Sequence, residues 1–91
     1  MNITKKILDE QVRHLNNQTN NPIEAITYDS KTKIGTWNKG CYCLDGAYGG
    51  YQLSQVYNES GAMKQITDGY VSKRELYEAI KYIRLGIQIA K

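Results

Sequence analysis

The chain has 91 residues, 41% hydrophobic and 23% charged, which is the ordinary balance for a soluble globular protein, and we expect residues 1–91 to form a single domain. Its formal net charge of +3 comes from 12 basic and 9 acidic residues that interleave along the chain, so a strongly basic nucleic-acid surface is not indicated. No apolar run has the length of a signal peptide or the roughly 20 residues of a membrane-spanning helix, which argues against a secreted or membrane-bound protein.

The first predicted element is a helix from Thr4 to about Asn16. Thr4 can cap its first turn, and apolar residues recur at helical spacing on one face. These residues are Ile7, Leu8, Val12 and Leu15. The polar run at 16–22 ends in Pro22, which disfavours a helical residue before it, so a loop is predicted there.

The middle of the chain reads as strands. The segments EAITYD and KIGTWN are rich in β-branched and aromatic residues and are joined by the polar turn SKTK. The stretch GCYCLDGAYGGYQLSQVY follows as a hairpin, and AMKQIT is a last short strand after a turn at NESG, where Gly61 can supply a positive φ. The pattern predicts an antiparallel sheet of four or five strands in meander order.

The last predicted element is a long helix that begins at about Lys73. Ser72 as N-cap, with Glu75 three residues later, makes a capping box, the most specific local signal in the chain. One face of this helix carries the apolar residues Leu76, Ala79, Ile80, Ile83, Ile87 and Ala90. The predicted fold class is therefore α+β, with an N-terminal helix, an antiparallel sheet and a long C-terminal helix packed on the sheet.

A second apolar strip runs along the same helix and consists of Tyr82, Leu85 and Ile89. A helix that lies on one sheet needs a single apolar stripe, so these extra positions indicate packing on two sides. Either the N-terminal helix covers the strip, or the strip is an interface with a partner or with a second copy in a homodimer.

Four of the eight tyrosines lie in the predicted hairpin. If the glycines at 49–50 form a two-residue turn, Tyr48 pairs with Tyr51 and Tyr42 with Tyr57, all on one face of the sheet. This face is either the core side of the sheet or, at the tip pair Tyr48 and Tyr51, a rigid amphipathic surface for a partner or ligand. The absence of phenylalanine favours the second interpretation for the tip, because a buried aromatic set usually includes rings without a hydroxyl group.

The two cysteines, Cys41 and Cys43, lie two apart on one predicted strand, which is poor geometry for a disulfide between them, so we expect a reducing, cytoplasmic location. With His14 they supply three possible zinc ligands, but a structural zinc site takes four and would need a carboxylate such as Asp45 or a second subunit, so we predict neither a metal nor a cofactor. No nucleophile with a partnered base, phosphate-binding loop or dinucleotide fingerprint is present, so an enzyme is not expected.

The segments YGGYQL, NESGAMKQI and SKRELYEAIKYIRLGI together resemble small uncharacterised proteins that accompany prophages and other bacterial mobile elements. In those proteins a glycine-tyrosine hairpin precedes a capped C-terminal helix, and the likeness covers about residues 42–87. The resemblance implies a cytosolic accessory protein that binds or inhibits a host protein.

A helix, a meander and a final helix that opens with SKRELYEAI also look like the double-stranded RNA-binding domain. In that domain a basic helix start contacts phosphates across a groove, a role that Lys73 and Arg74 would take here. The larger number of strands, and Glu75 and Glu78 in the same helix, depart from its pattern.

The sequence thus predicts a noncatalytic protein-binding accessory of a phage or mobile element. The first alternative is a small-ligand-binding protein, with a pocket near Tyr42, Tyr48, Tyr51 and Tyr57. The second is a nucleic-acid-binding module that uses a continuous basic face.

Overall fold

The computed structural model describes residues 2–90 and confirms the α+β class, with a helix at each end of the chain and antiparallel strands between them. In chain order the elements are α1 (Lys5–Gln18), β1 (Ile26–Tyr28), β2 (Gly35–Trp37), β3 (Tyr42–Ala47), β4 (Gly50–Val56), β5 (Met63–Gln65) and α2 (Lys73–Ala90).

Both helices begin where the sequence predicts, because a hydroxyl group caps each first turn. Thr4 Oγ1 accepts a hydrogen bond from the backbone N–H of Ile7 at 3.3 Å. Ser72 Oγ accepts from the backbone N–H of Glu75 at 3.2 Å and donates to the carboxylate of the same residue at 3.0 Å. At the other end of α1, the Thr19 hydroxyl donates to the Leu15 carbonyl at 2.8 Å and helps to end the helix.

The core lies between the two helices and one face of the three-stranded sheet. Leu53 of β4 belongs to the same buried cluster as Leu76 and Ile80 of α2, so the C-terminal helix packs on the sheet as predicted. The other buried apolar members are Ile3, Leu8, Val12 and Leu15. The helices are also joined through Arg84 of α2, whose guanidinium donates to the side-chain amides of Gln11 and Gln18 of α1.

The strands form two sheets, β1-β2 and β3-β4-β5, instead of the predicted single sheet of four or five strands. The reason lies at the outer edge of β3, where a further strand would have to pair. There the buried side chain of Asn16 accepts from the N–H of Tyr42 at 2.7 Å and donates to its carbonyl at 3.1 Å. Because α1 supplies these bonds, β2 does not join β3, and β1 and β2 form a separate ribbon.

Candidate functional site

The tip of the β3–β4 hairpin is the most exposed aromatic feature of the described chain. Ala47 and Gly50 form the last pair of the ladder, so the two turn residues are Tyr48 and Gly49. Both have positive φ angles, +54° and +74°, as a type I′ turn requires. The Tyr48 side chain is 94% exposed. A large aromatic residue therefore occupies a backbone position that usually takes asparagine, aspartate or glycine.

Tyr70 supports the exposed ring from the side. The two rings meet edge to face, with centroids 5.5 Å apart and planes at 72°, which is a favourable aromatic geometry. The Tyr70 hydroxyl donates to the Asp45 carboxylate at 2.7 Å, and this hydrogen bond raises the pKa of the Tyr70 phenol. The Gln52 amide donates to the same Asp45 oxygen at 3.2 Å. The tip is thus braced by a polar network on the outer face of the sheet.

The hairpin register differs from the predicted one, because the turn begins one residue earlier. Each residue of β3 faces a β4 residue two positions earlier than expected, so Tyr42 lies opposite Gln55 instead of Tyr57, and Tyr48 does not pair with Tyr51. A shift of two leaves every side chain on its predicted face. A side chain does not fit at Gly50, since a Cβ there would lie 2.8 Å from the carbonyl oxygen of Val71.

The four candidate tyrosines do not share one site. Tyr42 and Tyr51 are partly buried and pack against the core, which supports the core interpretation for these two rings. Tyr57 is 64% exposed, but it follows the far end of β4, roughly 20 Å along the strand from the tip. Only Tyr48 stands out from the hairpin tip. The hairpin therefore does not form the single aromatic pocket that the ligand-binding alternative predicts.

The second apolar strip of α2 lies on the surface of the chain. Tyr82, Leu85 and Ile89 are 64%, 46% and 76% exposed, so α1 does not cover them. Instead α1 packs on the side of α2 that carries Arg84. The remaining interpretation of the strip, an interface with a partner or a second copy, stays a prediction.

Gly86 lies on the same face of α2 as the strip, one turn after Tyr82, and a Cβ added there would meet nothing within 4 Å. We expect Gly86→Ala to raise the free energy of unfolding by about 0.5–1 kcal/mol, because glycine loses more backbone entropy than alanine in a helix. Denaturant unfolding followed by circular dichroism measures this gain. A loss of stability accompanied by a fall in molar mass by light scattering would contradict the expectation and would show that Gly86 sits at a close contact between copies.

The basic residues Lys73 and Arg74 are exposed at the start of α2, near the N-terminus of α1. Lys73 and Lys5 line a cleft of about 480 Å³ together with Gly46, Gly50 and other hairpin residues. Lys5 also forms a salt bridge of 2.9 Å with Asp9, so acid is mixed with base at this end of the molecule. Nucleic-acid contact by Lys73 and Arg74 stays a prediction.

The two cysteines are free thiols. Burial raises the pKa of Cys41 to about 12 and also raises the pKa of Cys43, so both thiols stay protonated at neutral pH and are poor nucleophiles. His14 lies exposed on α1. Among residues 2–90, no three His, Cys, Asp or Glu side chains are grouped so that they could hold a metal ion.

The fold and site together define a small two-layer α+β domain with a braced aromatic hairpin tip. No protein-family model, curated protein or solved structure matches this chain. Across residues 2–90, neither helix combines the length and the apolarity that crossing a membrane requires.

The sequence predicts Tyr48 as a site residue but not Tyr70, the residue that braces it. Tyr70 comes 22 positions later, after the Asp68-Gly69 turn, and a single β-bridge between Tyr51 and Val71 holds its segment against β4. The alternation of residues around Val71 is too short to read as a strand. The available signal was an aromatic residue two positions before the helix cap Ser72.

Proposed function

We propose that this chain is a noncatalytic protein-binding module that engages its partner through Tyr48 at the β3–β4 hairpin tip. The proposal includes the cytosolic accessory role, in a phage or mobile element, that the sequence resemblance implies. The observation that carries it is the combination of an almost fully exposed tyrosine ring with a left-handed backbone, φ +54°.

This conformation is costly for tyrosine. A residue with a Cβ in the left-handed region costs about 1–2 kcal/mol, and asparagine or glycine would fill the same turn position with less strain. Within the fold, the Tyr48 ring gains one edge contact with Tyr70 and little burial. A residue that breaks a local conformational rule without a matching gain in packing is typical of a functional position.

The network behind the ring reduces the cost of binding. Asp45 holds the Tyr70 hydroxyl, and the Tyr70 ring limits the directions that the Tyr48 ring can take. A side chain that is already ordered loses less entropy when a partner covers it. Tyrosine also offers an apolar body with a hydroxyl group at its end, which is why it is enriched at protein interfaces.

The test compares Tyr48→Asn with the wild-type chain as baits in a bacterial extract, with bound proteins quantified by mass spectrometry. We expect a captured protein whose affinity, measured on the purified pair by calorimetry, falls at least about tenfold in the variant, because a central interface tyrosine contributes about 2 kcal/mol. The same variant should unfold at higher denaturant concentration, with a gain of about 0.5–1 kcal/mol, because asparagine suits the type I′ turn.

Tyr57→Asn is the matched control, since it removes an exposed tyrosine from the other end of the same hairpin. It should leave the affinity within about twofold of wild type, a difference of less than 0.5 kcal/mol. Equal affinities for wild type and Tyr48→Asn would reject the tip as the binding surface.

A further inference from the structure

The outer edge of β3 carries backbone groups that no other part of the described chain uses. In an antiparallel pair, successive residues of a strand direct their N–H and C=O groups alternately toward and away from the partner strand. The bonds from Asn16 show that the backbone N–H and C=O of Tyr42 point away from β4, so those of Leu44 and Gly46 do the same. Asn16 satisfies Tyr42, whereas the N–H and C=O of Leu44 and Gly46 have no bond to any group within residues 2–90.

This open edge is flanked by clefts on both sides of Leu44. The cleft at the hairpin end, of about 480 Å³, is lined by Lys5, Lys73, Gly46 and Tyr51 among others. A second, of about 450 Å³, lies between α1, the segment at 23–25 and the start of β3. An unpaired strand edge beside a helix, with room for side chains on its flank, is the arrangement that binds an extended peptide by strand addition.

A second copy of this chain is a poor occupant of the edge. The antiparallel register that would use all four free groups pairs Leu44 of each copy with Gly46 of the other. That register places Asp45 directly opposite Asp45 of the second copy, and like charges at such a position are destabilising. An exposed charge on an edge strand is a common device against self-pairing.

We propose that the β3 edge binds an extended segment of another protein as an added antiparallel strand. This inference deepens the proposed function, on which it rests for the nature of the partner as a protein. The charges beside the edge select the segment. A basic residue opposite Asp45 meets that carboxylate on the outer face, and an acidic residue opposite Gly46 meets Lys5 and Lys73 in the cleft.

The residue opposite Leu44 lies over the core face, where an apolar side chain can pack against Leu44. Because an added antiparallel strand runs opposite to β3, the partner segment meets Gly46 first, then Asp45, then Leu44. From its N-terminal to its C-terminal end, the segment therefore carries an acidic, a basic and an apolar residue. The Tyr51 ring occupies the space that a side chain at position 46 would fill, and Lys5 and Lys73 line the same cleft, so the acidic side chain meets the two lysines beside this ring.

The probe is a set of short synthetic peptides with a constant threonine- and valine-rich frame and three varied central positions, tested against the wild-type chain by fluorescence anisotropy. Peptides with the acidic-basic-apolar order should bind at least about tenfold more tightly than those with the two charges exchanged, because exchange places like charges together at both positions. Equal affinities for the two orders would overturn the proposal.

Gly46→Pro and Gly46→Ala test the hydrogen bonds themselves. Both add a Cβ near the Tyr51 ring, but only proline removes the outward N–H, and an edge strand tolerates proline there. Affinity for the best peptide should fall at least about tenfold in Gly46→Pro relative to Gly46→Ala, since one bond and the approach of the peptide are lost. Equal affinities in the two folded variants would overturn strand addition.

Peptides that are N-methylated at alternate positions give a test that leaves the protein unchanged. Methyl groups on the amides that face β3 should abolish binding, whereas methyl groups on the opposite amides should not, and equal effects would overturn the proposal.

Peptide binding also separates the hairpin tip from the β3 edge as the binding surface. Loss of peptide binding in Tyr48→Asn but not in Gly46→Pro rejects the edge and keeps the tip, and the reverse pattern rejects the tip as the peptide site.

Discussion

Replacing Asn16 by leucine is expected to lower the free energy of unfolding by about 3 kcal/mol. Leucine has a similar size but neither donates nor accepts, so the N–H and C=O of Tyr42 would lose their partner, and each unsatisfied buried group costs about 1–3 kcal/mol. A domain of this size has a total stability of about 5–15 kcal/mol, so the loss is a large fraction of it. Urea unfolding followed by circular dichroism measures the change.

Asn17→Leu is the matched control, because it makes the same substitution one position later, where the side chain is exposed. Surface substitutions of this kind usually change stability by less than about 0.5 kcal/mol. A loss in Asn16→Leu no larger than that in Asn17→Leu would show that water replaces the Asn16 amide at the β3 edge. The result also bears on function, since Asn16 limits the open edge to Leu44 and Gly46.

Asn16 also explains which part of the fold could not be predicted from the sequence. The N-terminal caps of both helices, Thr4 and Ser72, could be predicted because each cap depends on a hydrogen bond between a side chain and a backbone group three residues apart. The division into two sheets could not, because it depends on an asparagine that reaches β3 from 26 residues away. A single asparagine in a helix carries no signal of such a bond.

The candidate site shows the same limit within one hairpin. Alternation along β3 and β4 places Leu44 and Leu53 on the core face, and the structure agrees. The prediction that both glycines, 49 and 50, form the turn was wrong, because the turn residues are Tyr48 and Gly49, and Gly50 pairs with Ala47 at the end of the ladder. Beside the turn, Tyr51 exchanges two backbone hydrogen bonds with the distant Val71, a contact that local patterns do not contain.

Gly61→Ala is expected to cost about 2–3 kcal/mol, the second large effect on stability. Gly61 has a φ of +94°, and an added Cβ would lie 2.5–2.9 Å from three atoms of the Trp37 indole ring. The left-handed backbone alone costs a residue with a Cβ about 1–2 kcal/mol. The remainder comes from displacing the indole ring, which is rigid and has to move as one unit. Denaturant unfolding followed by circular dichroism measures the total loss.

Gly69→Ala separates the two contributions, because Gly69 also has a positive φ, +80°, but an added Cβ there would meet nothing within 4 Å. The control should lose only about 1–2 kcal/mol from backbone strain. The difference between the two variants measures how tightly Trp37, and with it the β1–β2 ribbon, is held against the β4–β5 turn.

The fluorescence of Trp37, the only tryptophan, gives a second measurement. In folded Gly61→Ala its emission should shift, since the ring has moved. Equal losses and an unchanged emission spectrum would mean that the ribbon is not anchored through this contact, and that bonds at its base, such as the one from Gly40 N–H to the Val56 carbonyl of β4, hold it in place.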